Sequence, residues 1–240
     1  MTSEGAIVAG LRRQDWAFFI AMFCAGGALT TLLVGEYRTA AIYVLWVLAA
    51  GGLARHWSRR HPAPMPAALR WILYLSHPGL SPRGLHRILE PRPGERMLEI
   101  GPGIGHHALP TAEALGPAGH LDVLDVQPEM LADLRRRAQR RGVTNIAASE
   151  GDAQRLAFTD DTFDAAYLVT VLGEVPRPDV ALRELARVVK PGGRIVVGEL
   201  CLDPDYVSPG RLRRLAEGAG LRVGRRSGTV LAYFARLEVP

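Results

Sequence analysis

The sequence has only two cysteines and a single lysine, Lys190, among 240 residues. Cys24 and Cys201 lie in segments of very different character, so a disulfide framework is excluded and a reducing compartment is favoured. Residues 1–60 hold six arginines against three acidic residues, which leaves +2 of the net charge of +5 for the other 180 residues. This distribution favours basic flanks beside a membrane over a nucleic-acid partner. We therefore expect the protein to bind no nucleic acid.

Charged residues are missing altogether between Trp16 and Val34. A helix over 16–34 is long enough to cross a hydrocarbon core about 30 Å thick. A short polar turn follows, and 39–54 forms a second, shorter apolar run. Two such runs joined by a tight turn predict a transmembrane helical hairpin. Glycines would allow close helix packing, either within one hairpin or between two copies, at Gly26, Gly27, Gly51 and Gly52. Packing between two copies would make the protein a homo-oligomer.

The arginines flanking the two runs predict the orientation of the hairpin. Arg12 and Arg13 precede the first run, and Arg55, Arg59 and Arg60 follow the second. Because positive flanks stay on the cytoplasmic side, both termini are expected in the cytoplasm, with the protein in the inner membrane. Two alternatives remain. The first run could be a signal peptide, although its apolar part is too long, or the pair could be a buried hairpin of a soluble protein.

A proline-rich segment, 61–66, follows the hairpin and predicts an extended spacer. Residues 67–75 predict a short, largely apolar helix that either lies in the membrane interface or caps the next domain. Ser81 followed by Pro82 predicts the start of another helix. We therefore divide the chain into a membrane hairpin (1–60), a linker with cap helices (61–90) and a catalytic domain (91–240).

The dinucleotide fingerprint G-x-G-x-x-G is absent, and a different glycine spacing takes its place. A short apolar run contains Glu99 and ends at Ile100, and glycines follow at Gly101, Gly103 and Gly105. A buried strand that turns sharply into a helix has this pattern, since glycine permits positive φ and a close approach of a ligand to the backbone. We expect a nucleotide-type ligand site at the carboxyl end of this strand.

Alternating strand and helix patterns continue to the end of the chain. Strands are predicted at 96–100, 120–124, 145–149, 163–169, 194–199, 221–226 and 230–237, and helices at 107–115, 128–141, 179–189 and 211–219. The predicted fold class is α/β: a doubly wound, mostly parallel, seven-stranded Rossmann-like sheet. Its last two strands are close enough in sequence to pair antiparallel.

Residues from about 90 to 237 resemble the class I S-adenosylmethionine (SAM) dependent methyltransferases, of the type that includes quinone and phospholipid methyltransferases. Four motifs carry the resemblance in order and spacing. They are Leu98–Gly105, Val123–Leu131, Gly151–Ala153 with its following Leu156–Phe158 and Phe163–Asp164, and Leu185–Arg194. The hairpin lies outside this resemblance, because the relatives of this type are usually soluble or peripheral.

The resemblance implies SAM as cofactor and assigns a role to each residue of the motifs. Asp125 would accept hydrogen bonds from the ribose hydroxyls, Asp152 would accept from the adenine amino group, and Glu99 would lie near the methionine ammonium. The remaining cofactor-binding residues are expected in the glycine loop, around the adenine and just after the fourth strand: Gly101, Pro102, Gly103, Gly105, Val126, Gln127, Ala153 and Thr170. Asp125 and Asp152 could instead be an ordinary strand-end charge and a turn residue.

The sequence after the fourth strand lacks Asn/Asp-Pro-Pro-Tyr, the signature of amino methylation on bases or glutamine. Methyl transfer from a sulfonium needs alignment of the acceptor and a base only where the acceptor must lose a proton. Candidate catalytic residues are Glu174 and Glu199, either of which could be a general base, a cap or a surface charge, and Tyr206, a substrate-side candidate on the loop after the fifth strand. No metal site is expected.

Three functions fit this sequence. The first is a membrane-anchored methyltransferase acting on a hydrophobic or lipid-like acceptor, or on a soluble molecule while held at the membrane. The second is a nicotinamide oxidoreductase, which the glycine spacing and the final strand pair disfavour. The third is a non-catalytic SAM-binding membrane protein. Membrane lipids are the expected partners in the first case.

Overall fold

The computed structural model describes residues 13–33, 35, 37–65 and 79–240 of the chain. The predicted helix at 67–75 lies outside the described residues. Seven helices and seven strands are present within them. The helices are α1 (Arg13–Leu33), α2 (Tyr37–Arg60), α3 (Pro82–Leu89), α4 (Ala108–Leu115), α5 (Pro128–Arg141), α6 (Pro178–Val188) and α7 (Pro209–Gly218). The strands are β1 (Arg96–Ile100), β2 (His120–Asp125), β3 (Ile146–Glu150), β4 (Phe163–Val169), β5 (Val189–Leu200), β6 (Arg222–Gly228) and β7 (Ala232–Glu238).

The strands form one seven-stranded sheet in the order β3-β2-β1-β4-β5-β7-β6. The pairs among β1 to β5 are parallel, whereas β7 pairs antiparallel with both β5 and β6. The predicted α/β fold class and the antiparallel final pair are therefore confirmed. The strand order reverses direction between β1 and β4, so the carboxyl ends of β1, β2 and β4 meet at the point where such sheets bind ligands.

Most predicted boundaries agree with the structure within two residues, and β5 is the exception. The sequence predicts a turn at 190–193 before a strand beginning at Arg194, but β5 already begins at Val189. Val189 pairs with Phe163, and the register shifts before Ala165 pairs with Arg194. The Lys-Pro-Gly-Gly segment is thus a bulge within the strand's bounds, where Gly192 takes a φ of 75°.

Helix α3 starts as the sequence predicts, with Pro82 in its first turn and Ser81 as its N-cap. The Ser81 hydroxyl accepts a hydrogen bond from the Gly84 N–H at 3.1 Å. Leu85 and Leu89 of this helix pack into the core on the same face of the sheet as α4 and α5, while α6 and α7 cover the opposite face. The segment assigned to the linker therefore contributes a helix to the core of the α/β unit.

Helices α1 and α2 pack against each other outside the sheet. Gly27 lies at their contact, where a Cβ atom would approach the Tyr43 ring to 2.9 Å, whereas Gly26, Gly51 and Gly52 have no other atoms within 4 Å of that position. Among the described residues, α2 is the helix whose length and composition suit a membrane span, and α1 contributes a shorter apolar stretch, Phe23–Leu33. Signal sequences and core helices share these properties, so the transmembrane hairpin stays a prediction.

A buried ion pair holds α3 to the sheet and provides a test of the fold. The Arg194 guanidinium donates to both carboxylate oxygens of Glu95, at 2.9 and 2.7 Å, and to the carbonyls of Leu89 and Glu90 at the end of α3. Both charged side chains are largely buried. Loss of one partner would leave the other charge unpaired in the interior.

We expect Arg194→Ala to lower the free energy of unfolding by about 3–5 kcal/mol, because Glu95 loses its partner. Urea unfolding of the detergent-solubilised protein, followed by circular dichroism, measures the change. Arg183→Ala is the matched control, since its i,i+4 pair with Asp179 is exposed and such pairs contribute about 0.3–0.5 kcal/mol. Equal effects of the two variants would contradict the role assigned to Arg194.

Candidate active site

The loop after β1 is built on three glycines in the left-handed region of φ. Gly101, Gly103 and Gly105 have φ values of 64°, 52° and 82°. A Cβ atom on Gly101 would lie 2.4 Å from Cγ2 of Val171, which follows β4. The predicted tight turn is therefore required by the backbone, and it allows the loops after β1 and β4 to touch. Pro102 is buried within this turn.

Asp125, at the end of β2, is bonded to the glycine loop through its carboxylate. The side chain is 9% exposed, and Oδ1 accepts from the Gln127 N–H at 3.0 Å. Backbone N–H groups of Gly103 and Val126 also bond to this carboxylate. Burial raises the pKa of Asp125, and these N–H donors oppose the rise. The carboxylate is therefore fixed against the glycine loop, and its contact with the ribose stays a prediction.

Glu99 is a buried acid one residue before the end of β1. It is 2% exposed, and Oε2 accepts from the Tyr167 hydroxyl at 2.8 Å. Burial raises the pKa of Glu99 to about 8, and the charge of Asp125 adds to the rise while the Tyr167 bond opposes it. A cation bound beside these two acids would favour their ionised forms and so lower the pKa of Glu99. The pair therefore suits a ligand with an ammonium and a sulfonium group.

The adenine-side residues lie at the ends of β2 and β3. Asp152 is exposed, and its carboxylate accepts from the Gln154 N–H at 2.8 Å and from the Gln154 side chain at 2.9 and 3.0 Å. These are the bonds expected of a turn residue, so its contact with adenine stays a prediction. Ala153 is buried, whereas Val126 is 45% exposed and offers an apolar surface beside Asp125.

Met65, at the end of the described part of the proline-rich spacer, contacts residues after both β2 and β4. The Gln127 side-chain amide donates to the carbonyl of Met65 at 2.9 Å, while the backbone N–H of Met65 bonds to the Glu174 carboxyl. Met65 therefore links the cofactor side to the loop after β4. Sequence reasoning missed this contact, because nothing in the spacer pattern shows where an extended chain will lie.

The loop after β4 begins in a strained conformation. Thr170 has a φ of 56°, which is unusual for a β-branched residue, and its N–H donates to the Gly198 carbonyl at 2.8 Å. A Cβ atom on Gly173 would lie 1.8 Å from the carbonyl oxygen of Asp205. The loops after β4 and β5 are therefore in direct contact, and the strain at Thr170 is held between them.

Acidic side chains gather where these two loops meet. Burial raises the pKa of Glu174 well above its usual range, and the charges of Asp203 and Asp205 raise it further. Burial also raises the pKa of Asp203, to about 7. Among the described residues, no group of three His, Cys, Asp or Glu is arranged to hold a metal ion. A cluster of protonatable acids next to the cleft can accept a proton from an acceptor molecule.

Glu199 and Tyr206, the other predicted catalytic residues, have structural partners. Glu199 is 1% exposed, and its Oε2 accepts from the Val207 N–H at 2.9 Å. The Tyr206 hydroxyl donates to the Val230 carbonyl at 2.5 Å. Both side chains hold the loop after β5, and neither is bonded to the loop that contains Glu174.

Helix α2 contacts the loop after β5. The Arg55 guanidinium donates to the carbonyls of Cys201 and Asp203 and lies 5.8 Å from the centre of the Tyr206 ring. The Ser58 hydroxyl donates to the Asp205 carboxylate. Sequence reasoning also missed these contacts, which join residues almost 150 positions apart. The Asp-Pro-Asp segment after β5 was the one sequence feature that could have indicated these contacts, since neighbouring acidic side chains attract a basic one.

The sheet order, the glycine loop and the paired acids define a class I methyltransferase fold. Residues 97–193 match the family described as "Methyltransferase domain". This part of the chain is therefore similar to methyltransferase domains in sequence and in fold. This agreement bears out the enzyme class and the cofactor predicted from the sequence, and it disfavours the nicotinamide oxidoreductase.

Known proteins of this class resemble the chain over part of its length. A ubiquinone/menaquinone biosynthesis C-methyltransferase, UbiE of Bradyrhizobium diazoefficiens, is 39% identical over 55% of this chain and 55% of its own length. The chain thus spans about half the length of the relatives it matches. A SAM-dependent methyltransferase structure from Aquifex aeolicus (TM-score 0.68, 19% identity) covers 74% of this chain and is itself wholly covered. The [4+2]-cyclase SpnF (TM-score 0.56, 26% identity) covers 61% of this chain and is itself covered over 57%.

We expect Asp125→Ala to weaken SAM binding more than about tenfold, because loss of a hydrogen-bonded charge costs about 1.5–3 kcal/mol. Isothermal titration calorimetry measures the dissociation constant. Asp160→Ala is the control, since that exposed carboxylate pairs with Arg187 away from the cleft. Unchanged affinity in Asp125→Ala would remove this residue from the cofactor site.

The raised pKa of Glu99 makes folding stability depend on pH. Between its usual pKa of 4.5 and about 8, the folded state holds a proton that the unfolded state has released. The contribution of Glu99 is therefore fully present below pH 4.5 and is lost as the pH rises toward 8. We expect Glu99→Gln to flatten the fall in unfolding free energy between pH 5 and pH 8 by up to about 1.4 kcal/mol per pH unit. Denaturant titrations across this range test it, and parallel pH profiles would contradict it.

Proposed function

We propose that this protein transfers the methyl group of SAM to a hydrophobic acceptor at the cytoplasmic face of a membrane. The observation that carries the proposal is the attachment of the apolar helix α2 to the loop after β5. Arg55 and Ser58 bond to that loop beside the acidic cluster. A helix able to span a bilayer thus ends at the side of the cleft opposite the adenine residues, where an acceptor would approach.

The cofactor side is assigned to the residues around the glycine loop. SAM supplies an already activated methyl group, so the protein has to align the acceptor and exclude water. Asp125 would hold the ribose, Glu99 would neutralise the ammonium, and Asp152 with Val126 and Ala153 would enclose the adenine. Thr170, whose φ is 56°, would present its backbone to the amino-acid part of the cofactor.

Glu174 is assigned as the general base of the reaction. Burial and two neighbouring carboxylates raise its pKa, which brings a carboxylate closer to the basicity that proton abstraction near neutral pH requires. A phenol or enol acceptor gains nucleophilicity when it loses a proton, and Glu174 would receive that proton. Glu199 and Tyr206 are assigned to positioning, because Oε2 of Glu199 and the Tyr206 hydroxyl bond to the backbone of neighbouring loops, although Oε1 of Glu199 is buried with no hydrogen-bond partner in the described part of the chain.

The membrane location is supported by the surface of the two N-terminal helices. Several large apolar side chains of α2 are exposed, among them Leu45, Trp46 and Leu48 at 58–66%. Apolar surface of this extent is uncommon on a soluble monomer. In α1, the hydroxyls of Thr30 and Thr31 donate to the carbonyls of Gly26 and Gly27 at 3.0 and 2.9 Å, so neither needs water.

A second candidate function is SAM binding without methyl transfer. It is favoured by the similarity to a structure named as a [4+2]-cyclase, since the same fold there carries a different reaction. In this case the acidic cluster would either take part in the proton transfer of a different reaction or have no part in any proton transfer. Methylation of a soluble molecule by a membrane-held enzyme is the third possibility.

We expect methyl-labelled SAM to transfer its label into the organic phase of a lipid extract when the full-length protein is present. Glu174→Gln should lower the transfer rate by about 10²–10⁴-fold, the range of general-base catalysis, while SAM affinity stays within about twofold. Scintillation counting of the extracted lipids measures the product.

Glu184→Gln is the control for this experiment, because Glu184 bonds to Arg187 and the Leu156 N–H away from the acidic cluster. SAM binding without any labelled product would favour the second candidate function. Label found only in the aqueous phase would instead show a soluble acceptor.

A further inference from the structure

Three aliphatic side chains project from the side of the α/β unit that α2 contacts. Leu202, in the loop after β5, is 77% exposed, and Val230 and Leu231, in the turn between β6 and β7, are 61% and 63% exposed. We call these three residues the aliphatic tip.

Hydrogen bonds hold the two loops of the aliphatic tip together. The Cys201 N–H donates to the Leu231 carbonyl at 2.6 Å, and the Tyr206 hydroxyl donates to the Val230 carbonyl at 2.5 Å. Tyr206 is itself buried against Tyr233. The three side chains are therefore carried on one braced surface.

The aliphatic tip lies at the same level as the end of the apolar stretch of α2. Arg55 is the first charged residue after residues 39–54. Its guanidinium bonds to the carbonyls of Cys201 and Asp203, the two residues that flank Leu202. If 39–54 spans the hydrocarbon core, Arg55 is at the headgroup level, and Leu202 is held beside it.

Exposed arginines occur in the two elements nearest the aliphatic tip, α2 and β6. Arg59 and Arg60 follow Arg55 in α2, and both are exposed. Arg226, near the end of β6, is exposed and close enough to Tyr206 to lower the pKa of that hydroxyl, against a net rise caused by burial. Aliphatic side chains next to arginines are the combination that binds the interface of a bilayer with anionic lipids.

We propose that the aliphatic tip inserts into the headgroup region of the anionic cytoplasmic leaflet, as a second membrane contact besides the hairpin. This inference rests on the proposed function, because insertion requires the membrane location proposed there. Asp203 adjoins Leu202 in sequence and belongs to the acidic cluster. Insertion would therefore hold the acceptor side of the cleft at the bilayer surface, so that a lipid-phase acceptor reaches Glu174 without crossing water.

Site-specific labelling of the full-length protein tests the insertion. Cysteine would be introduced as Leu231→Cys in a Cys24→Ala, Cys201→Ser background and labelled with the environment-sensitive dye NBD. Arg140→Cys in the same background is the matched control, because Arg140 is exposed on α5, at the opposite edge of the sheet. The labelled proteins would be reconstituted into phosphatidylcholine vesicles containing phosphatidylglycerol, with and without spin-labelled lipid.

We expect quenching by the spin-labelled lipid to be roughly twofold or more greater at position 231 than at position 140, because a side chain in the interface lies within reach of the quencher. Leu202→Glu should reduce the quenching at 231 while SAM affinity, measured by calorimetry, stays unchanged. Unchanged SAM affinity shows that the domain remains folded.

Equal quenching at positions 231 and 140, in protein that resists carbonate extraction, would overturn the proposal and leave the hairpin intact. Dimers in detergent that disappear in Leu202→Glu would also overturn it, because a second copy would then cover the tip. A third outcome is quenching at position 231 in protein that carbonate then removes from the vesicles. That outcome would contradict the hairpin and support the insertion. Methyl transfer into the lipid extract is measured separately, so failure of the proposed reaction is distinguishable.

Discussion

The contact between the glycine loop and the loop after β4 sets the geometry of the whole cleft. Gly101 has no side chain, so Val171 can pack where a Cβ atom would lie, 2.4 Å from its Cγ2. Asp125 then bonds to the amide of Gly103, and Gly173 lies against the carbonyl of Asp205. Four loops at the carboxyl ends of the strands are thereby locked together, which holds the cofactor side and the acceptor side at a fixed separation.

This arrangement brings together acids that are buried or half-buried. Glu99, Asp125, Glu174 and Asp203 all have a raised pKa, with burial as the main cause. Such groups reduce folding stability at neutral pH, and they persist where a site uses their charge or their protons. Glu99 and Asp125 are the two that we assign to the cationic cofactor, and Glu174 and Asp203 are the two that we assign to the acceptor side.

The N-terminal helices join this cleft through two side chains of α2. Arg55 and Ser58 bond to the loop after β5, and Met65 bonds to both Gln127 and Glu174. The segment that the sequence presents as an anchor and spacer is thus part of the wall of the site.

The sequence by itself determined the elements of the α/β unit. The alternation of strand and helix, the antiparallel last pair and the start of α3 at Pro82 were predictable, because they follow from local patterns of apolar residues, glycine and proline. The cofactor class was predictable from the resemblance of four motifs to a known family. The bulge at 190–193 was missed, since pairing of Val189 with Phe163 depends on a strand distant in sequence. Only the tertiary structure decided that Arg55, Ser58 and Met65 belong to the site, and that Glu199 and Tyr206 hold a loop. Contacts across such sequence separations depend on how elements pack, and no local pattern encodes them.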